Sequence, residues 1–290
     1  MRLKTSLRQI FWICFCFGLL ALTAHGQADL TGVIDFHVHS APDSTPRSID
    51  AIDLARLAKQ LAYVVRKEVP GIEIFGGIDL NRSVGGLNTA AIDRMVLMAG
   101  HYGKVIWFPT FDSENQVRYS KENRPFVAIV KDGHLLPEAV QIIALAAKDN
   151  LTLETGHSSA EEGLLIVQEA QRQGVKHVVV THAMAAPVRM NIPQMQEAAK
   201  TGAYIEFVYN ATLAPITSSN DVVSMDDYVK AIREVGPASC ILATDLGQVG
   251  HPIHTDGMAA FLAALRKDGF SQADLDLMSK TNPARALGLE

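Results

Sequence analysis

The sequence predicts an α/β domain folded as a TIM-like (β/α) barrel. Apolar strand-like runs alternate along the chain with amphipathic helix-like runs, which is typical of parallel strands joined by helices. The strand-like runs are apolar almost throughout, as expected when helices cover both faces of a sheet. The length of 290 residues is also usual for one such domain.

The ends of the predicted strands favour a closed barrel over an open, doubly wound sheet. No G-x-G-x-x-G motif follows the first strand, although open nucleotide-binding sheets commonly carry one. Histidine and carboxylate residues instead follow several strands, as at the active face of a barrel. We therefore expect the barrel and keep the open sheet as the alternative.

The predicted strands are short apolar runs rich in β-branched residues. In the first of them, Val33, Ile34, Phe36 and Val38 supply the apolar side chains. The seven barrel strands are expected at residues 33–38, 72–78, 105–109, 151–155, 177–181, 203–209 and 240–244. A polar loop at 111–125 and a small hairpin at 126–133 interrupt the alternation.

The predicted helices show apolar residues at helical spacing between loops rich in glycine, proline and polar residues. Pro42 and Pro46 keep the first loop non-helical, and Pro70 ends the first helical region. Helices are expected at residues 49–60 with a continuation through 61–69, and at 89–101, 137–148, 160–173, 192–201, 225–235, 258–267 and 271–287.

One βα unit is missing from this pattern. An eight-stranded barrel needs a strand between the first helix and the strand at 72–78, yet no turn signal separates Gln60 from residues 61–65. Either residues 61–65 form a very short second strand or the unit is absent. We expect it to be absent, which gives a barrel of seven strands.

The first 26 residues have the features of an export signal. Three basic residues precede an apolar run at 10–22, and the small residues at 24–26 suit signal peptidase cleavage. The run is shorter than the ~20 apolar residues that span a membrane. We predict a signal peptide at residues 1–26, a barrel domain at 27–290, and a periplasmic or secreted protein without a stable membrane anchor.

Charge and cysteine content limit the partners. Cleavage after Gly26 would change the balance of 26 basic and 31 acidic residues to 23 against 31, because three basic residues leave. This acidic balance argues against nucleic acid and anionic lipid and favours a small-molecule substrate. Two of the three cysteines also leave, so Cys240 has no disulfide partner within the chain and is expected to be an inert core thiol.

Side chains that bind metals follow four of the predicted strands. His37 and His39 lie two residues apart in the first strand and therefore share a face. His157, His182 and Asp245 each follow a later strand. Because the carboxyl ends of barrel strands meet on one face, we expect these five residues to gather there around a divalent metal.

The order of these ligands resembles that of the amidohydrolase superfamily, which has H-x-H on the first strand, histidines on the fifth and sixth, and aspartate on the eighth. The resemblance extends from Gly32 to about Gly288, and residues 34–39, 75–81 and 85–88 resemble a poorly characterised bacterial branch. It implies hydrolysis as the reaction class. One departure concerns the carboxylated lysine that often ends the fourth strand of two-metal members, since residues 107–110 contain no lysine.

Histidine and carboxylate ligands favour Zn²⁺, with Mn²⁺ or Fe²⁺ as alternatives. A bound water whose pKa is lowered toward ~7 would attack a small amide, lactone or ester. Asp245 would accept the proton of this water and pass it to the leaving group. In the superfamily, the fifth-strand histidine can instead bind a second metal or the substrate.

Loops at the active face supply candidate substrate contacts, with a structural or solvated role as the alternative for each. The candidates are His251, His254, Arg47, Asn81 and Asn210. The charges in the 111–125 loop belong to a lid or to solvated surface. Three further histidines are expected to be structural or solvated: His101, His134 and His177.

Two other functions remain open. A phosphoesterase resembling the polymerase and histidinol phosphatase family would also begin with H-x-H, but it needs a histidine two residues after Asp245, where the chain has Gly247. A non-catalytic, exported barrel that binds a metal or small ligand is the third possibility.

Overall fold

The computed structural model describes residues 29–40, 46–49, 75–98, 100–214 and 221–289. The predicted signal peptide, the first predicted helix with its continuation, and the possible second strand at 61–65 lie outside these residues. The cleavage site and the missing βα unit therefore stay predictions. Residues Gly32–Glu290 belong to one structural unit.

The main sheet is parallel throughout, as predicted. In chain order the described strands are β1 (Gly76–Asp79), β2 (Gly103–Trp107), β3 (Val130–Lys131), β4 (His134–Leu135), β5 (Thr152–Glu154), β6 (His177–Val180), β7 (Tyr204–Val208) and β8 (Cys240–Ala243). Six of them pair in the order β1, β2, β5, β6, β7, β8, and β3 pairs with β4 as an antiparallel hairpin. Consecutive parallel strands therefore lie side by side, as in a barrel wall.

The predicted first strand is an extended segment rather than a regular strand. Val38 forms one isolated parallel bridge with Leu246. The amide of Asp245 donates to the carbonyl of His37 (2.7 Å), and the amide of His39 donates to the carbonyl of Leu246 (2.8 Å). The segment thus extends the sheet beyond β8. The residues that would join it to β1 lie outside the described part of the chain, so the number of barrel strands stays a prediction.

Helices connect the strands and cover the sheet. They are α1 (Thr89–Val96), α2 (Glu114–Tyr119), α3 (Pro137–Lys148), α4 (Ala160–Gln173), α5 (Ile192–Lys200), α6 (Met225–Val235), α7 (His254–Lys267), α8 (Gln272–Asp276) and α9 (Asn282–Ala286). A π-helical turn at Leu277–Thr281 separates α8 from α9, where one continuous helix was predicted. Helix α2 lies in the loop that was predicted to be irregular, and α7 begins four residues earlier than predicted.

Short polar side chains begin several of these helices. Ser159 and Glu162 form a capping box at the start of α4, and Asn191 and Gln194 form another at the start of α5. Such caps satisfy amide groups that have no partner within the helix. None of the described helices is both long enough and apolar enough to cross a membrane.

The interiors of strands β5 to β8 are buried on both faces. Residues 152–154 of β5 and 240–243 of β8 are buried without exception. The apolar members of these strands pack in the core, but Glu154 in β5 and Glu206 in β7 are also completely buried. Two buried carboxylates in an apolar sheet indicate that the interior of the domain serves more than packing.

Candidate metal centre

His37, His39 and Asp245 meet at the carboxyl end of β8. Nε2 of His39 lies 3.0 Å from Oδ1 of Asp245, and Nε2 of His37 lies 3.5 Å from the same oxygen. One donor atom from each of the three residues can be chosen so that all lie within 4.8 Å of one another. The structure thus brings together three of the five predicted ligands, and both histidines approach from one side as their spacing predicted.

The backbone around Asp245 is shaped for this approach. Asp245 itself has a positive φ of 50°, a conformation that is uncommon outside glycine and often found at functional sites. Gly247 follows with φ of 130°, and a Cβ atom there would lie 2.1 Å from the carbonyl oxygen of His39. Glycine is therefore required for the loop after β8 to pass close to the H-x-H segment.

His157 and His182 lie beside this cluster. The ring centroids of His157 and His182 are 4.8 Å apart, and the ring of His182 stacks on that of His37 at 6.2 Å. His182 also has a positive φ of 25°. His157 and His182 therefore adjoin the three-residue cluster, although they are not part of the group whose donor atoms all lie within 4.8 Å of one another.

His37 differs in charge from His157 and His182. Burial alone would lower the pKa of His37, but the charges of Asp245 and Glu206 outweigh it and raise the pKa to about 10. Burial, opposed by the charge of Asp245, lowers the pKa of His182. Burial and the neighbouring His182 likewise hold the pKa of His157 well below its usual value. His157 and His182 are therefore neutral, the form in which imidazole binds metals.

Asp245 is ionised despite its burial. Burial would raise its pKa, but the positive charge of His37 and the hydrogen bond from His39 outweigh burial and lower the pKa below the usual value for aspartate. The carboxylate therefore carries the negative charge of the cluster.

The residues present fit a divalent cation. Two imidazoles and one carboxylate are the ligand types that Zn²⁺ prefers in catalytic sites. In addition, Nδ1 of His182 is buried and has no hydrogen-bond partner among the described residues, which is unusual for a buried polar atom. A cation near this cluster would give that nitrogen a partner, and the cluster would supply its ligands.

Three residues in the centre escaped the sequence analysis. Glu206 accepts hydrogen bonds from the amide of His182 (2.8 Å) and from Nδ1 of His37 (3.4 Å). The Trp107 ring packs against His37 with centroids 4.6 Å apart. Gln116 of α2 accepts from Nδ1 of His157 at 2.7 Å. The available signal for Glu206 was a charged residue in the middle of an apolar strand.

Asn210 and His251 are linked to Asp245 rather than free at the mouth. The amide nitrogen of Asn210 donates to Oδ2 of Asp245 (3.3 Å), and Nδ1 of His251 donates to Oδ1 of Asn210 (2.8 Å). This chain of hydrogen bonds orients the Asp245 carboxylate, and the substrate contacts expected at Asn210 and His251 stay predictions. Arg47 lies nearby and donates to Nδ1 of His39 at 3.3 Å.

The other two predicted substrate contacts lie in structural positions. Asn81 uses both its amide nitrogen and its oxygen to join Asp79, Thr110 and Asp112, so it fastens the loops after β1 and β2. His254 is only 2% exposed at the start of α7. Its burial leaves little surface for a substrate, which argues against the predicted contact.

The remaining candidates are placed as follows. Cys240 is completely buried, and burial raises the pKa of its thiol. His101 and His134 are exposed, and His177 begins β6 at the end of the sheet away from the cluster. In the 111–125 loop, Arg118 pairs with Glu114, and Arg124 pairs with Asp112 and Glu122.

The fold is similar to those of several solved hydrolases. An amidohydrolase from Pseudomonas aeruginosa matches with a TM-score of 0.54 at 14% identity, over 87% of this chain and 78% of that one. A metallo peptidase from Rhodobacter sphaeroides, liganded with a phosphinate mimic of a dipeptide, matches with a TM-score of 0.53 at 10% identity, over 81% and 66%. An organophosphorus hydrolase from Deinococcus radiodurans matches with a TM-score of 0.52 at 14% identity, over 77% of this chain and 73% of that one. At these identities the likeness establishes the fold, and it confirms the predicted α/β, TIM-like class.

Within this fold class the chain belongs to the family of unknown function DUF6282, whose match covers residues 58–206, just over half of the sequence. No curated protein matches the sequence.

Proposed function

We propose that the protein is a metal-dependent hydrolase of the amidohydrolase type that cleaves a small amide, lactone or ester. The observation that carries the proposal is the approach of Oδ1 of Asp245 to Nε2 of both His39 and His37, at 3.0 and 3.5 Å. These residues come from opposite ends of the domain and meet at the carboxyl ends of parallel strands, where barrel enzymes hold their active sites.

His37, His39 and Asp245 are the proposed metal ligands, with His157 and His182 as ligands of the same or a second cation. Zn²⁺ suits this set best, and Mn²⁺ or Fe²⁺ are the alternatives. When bound, the cation supplies positive charge that acidifies water and polarises the bond under attack.

Asp245 is the proposed proton carrier. Its carboxylate is ionised, so it can accept a proton from water and later donate it to the leaving group. Asn210 donates to Oδ2, which fixes the plane of the carboxylate while the other oxygen faces the imidazoles. The carrier therefore has a defined orientation before substrate binds.

The similar solved structures guide the choice of substrates to test. They are named an amidohydrolase, a metallo peptidase bound to a dipeptide mimic, and an organophosphorus hydrolase. A panel of dipeptides, other amides, lactones, esters and organophosphates covers these reactions. A phosphodiester is added to test the phosphoesterase alternative.

The decisive experiment uses the full chain, stripped of metal with a chelator and reloaded separately with Zn²⁺, Mn²⁺ and Fe²⁺. Metal-dependent turnover of an amide, lactone or ester supports the proposal. Metal binding without turnover would favour the non-catalytic barrel, and turnover of phosphodiesters alone would favour the phosphoesterase. The His39→Gln variant should lose binding, whereas the exposed His101→Gln variant should keep it; equal binding by both would remove the proposed site.

We further propose that the chain is exported. The basic residues and apolar run within residues 1–26 support this. N-terminal sequencing of protein recovered from the producing cells tests it. A chain that begins at Gln27 is expected, and a chain that retains residues 2–26 would contradict export by cleavage.

A further inference from the structure

Glu206 is a buried carboxylate for which the proposed hydrolysis assigns no role. It lies in the middle of β7 and is 0% exposed. Its Oε1 has no hydrogen-bond partner among the described residues. Burying a charge in an apolar sheet is costly unless it is paired, so packing alone does not explain a glutamate at this position.

Both contacts of Glu206 are with predicted metal ligands. Oε2 accepts from Nδ1 of His37 at 3.4 Å and from the backbone amide of His182 at 2.8 Å. The opposite nitrogen of His37, Nε2, faces Asp245. Glu206 thus lies behind the His37 ring, on the side away from the proposed cation.

We propose that Glu206 is a positioning residue that keeps the proton of His37 on Nδ1 and so presents the Nε2 lone pair to a divalent cation. The inference rests on the proposed function. Ligating histidines commonly donate their second nitrogen to a carboxylate, which fixes the tautomer and the ring orientation.

Charge balance supports the same role. Asp245 is the only anion within the three-residue ligand cluster, so it neutralises half the charge of a divalent cation. The carboxylate of Glu206 accepts from the other nitrogen of the His37 ring. It would therefore supply a second negative charge behind a ligand of the cation. The hydrogen bond from the backbone amide of His182 holds this carboxylate beside the residue that follows β6, which is another predicted ligand.

Glu154 provides a matched control. It is also a glutamate in the sheet and is also 0% exposed, with one oxygen lacking a partner among the described residues. Its side chain accepts from the hydroxyl of Thr181 at 2.7 Å rather than from His37. Burial and the charge of Glu206 raise the pKa of Glu154 well above its usual value. Glu154→Gln therefore replaces a buried carboxyl group of the same size without touching a ligand.

The experiment measures Zn²⁺ affinity of the full chain by competition with a chromophoric chelator. Glu206→Gln keeps the shape and should weaken binding by about 10- to 100-fold, whereas Glu154→Gln should change it by less than about threefold. Equal losses in both variants would show a general effect of replacing a buried glutamate and would overturn the proposal. Unchanged affinity of Glu206→Gln would also overturn it.

A second measurement does not depend on whether the Glu206→Gln variant folds. Nitrogen-15 NMR of the histidine rings in the wild-type chain reports which nitrogen carries the proton, with His37 assigned by loss of its signal in His37→Gln. With Zn²⁺ bound, we expect His37 to be protonated at Nδ1 and metallated at Nε2; the reverse would overturn the proposal.

The same spectra separate this inference from the proposed function. In metal-free protein, the Nδ1 proton of His37 should exchange slowly because it is bonded to Glu206. Failure of the wild-type chain to bind any divalent cation would remove the proposed function, whereas rapid exchange of this proton would remove the role of Glu206.

Discussion

The backbone amide of Asp245 donates to the carbonyl of His37 at 2.7 Å, so two predicted metal ligands more than 200 positions apart are joined by the main chain as well as through their side chains. This hydrogen bond fixes the position of the H-x-H segment along β8. The side chains can then meet at Oδ1 without depending on flexible loops, which is how a preorganised site is built.

Replacing Asp245 with asparagine should abolish most activity. The amide cannot carry the proton, and it removes the anion that Nε2 of His37 and Nε2 of His39 both face, so we expect kcat to fall by about 10²- to 10⁴-fold. Steady-state kinetics on the substrate identified by the panel measures this. Asp226→Asn, at an exposed position in the first turn of α6, is the control and should retain activity. An Asp245→Asn variant with normal kcat would exclude Asp245 as the proton carrier.

Zn²⁺ binding should release a proton from His37. The pKa of His37 is raised to about 10, because the charges of Asp245 and Glu206 outweigh burial, so its ring is protonated at pH 7 in the absence of metal. A cation bound at Nε2 displaces that proton. Affinity should therefore fall as pH decreases, by up to about tenfold per pH unit for each proton released. Calorimetry in buffers of different ionisation enthalpy counts the protons, and a count of zero would contradict the assignment.

Gly247→Ala should destabilise the protein and weaken metal binding. A Cβ atom at this position would lie 2.1 Å from the His39 carbonyl, and φ is 130°, so the loop or the H-x-H segment must move. Gly174→Ala is the control, because its φ is 77° but nothing lies within 4 Å of its Cβ. The control should cost about 1–2 kcal/mol for the left-handed backbone, and Gly247→Ala should cost more. Urea unfolding and Zn²⁺ titration compare them; equal costs would show that the close approach to His39 is unimportant.

The elements that follow local rules could be predicted from the sequence. Pro137–Lys148, Ala160–Gln173 and Met225–Val235 begin and end at the predicted residues, because their apolar spacing and end residues agree. The five proposed ligands followed from strand periodicity and the rule that barrel strands end at one face.

The remaining features depend on neighbours that are distant in sequence. The first strand is irregular because its partner is the turn after β8, where the left-handed Asp245 allows only an isolated bridge. Helix α2 was missed because it has six residues in a polar loop, and Ser113 as its N-cap was the available signal. Glu206 and Gln116 gain their roles only from the histidines that the fold brings beside them.

Gln116→Ala should lower activity without unfolding the protein. Gln116 accepts from Nδ1 of His157 at 2.7 Å, which leaves the other ring nitrogen available to a cation or substrate. Without this bond the ring can rotate or change tautomer, and we expect kcat/KM to fall by about tenfold. Gln168→Ala in α4, whose exposed side chain donates a hydrogen bond to Glu197 at 3.1 Å, should leave kcat/KM unchanged. Equal activity of the two variants would indicate that His157 needs no support from α2.

Asp35 should make the metal-free protein less stable as pH rises. Burial raises its pKa from 3.8 to about 7, against hydrogen bonds from the amide and hydroxyl of Thr244. The folded state thus holds a proton that the unfolded state releases near pH 3.8. The stabilisation is complete below that pH and is lost as pH rises to about 7, at up to about 1.4 kcal/mol per unit.

Asp35→Asn should remove this pH dependence while keeping both contacts, because its amide oxygen can accept from the Thr244 amide and its nitrogen can donate to the hydroxyl. Urea unfolding at a series of pH values, with chelator present, gives the free energy of unfolding for each variant. The difference between Asp35→Asn and the wild type should increase in favour of the variant between pH 4 and 7, in line with the pKa shift of Asp35. Asp93 is exposed on α1, so the free energy of unfolding of Asp93→Asn should change with pH as that of the wild type does. A constant difference for Asp35→Asn would mean that the Asp35 carboxyl titrates alike in the folded and unfolded states.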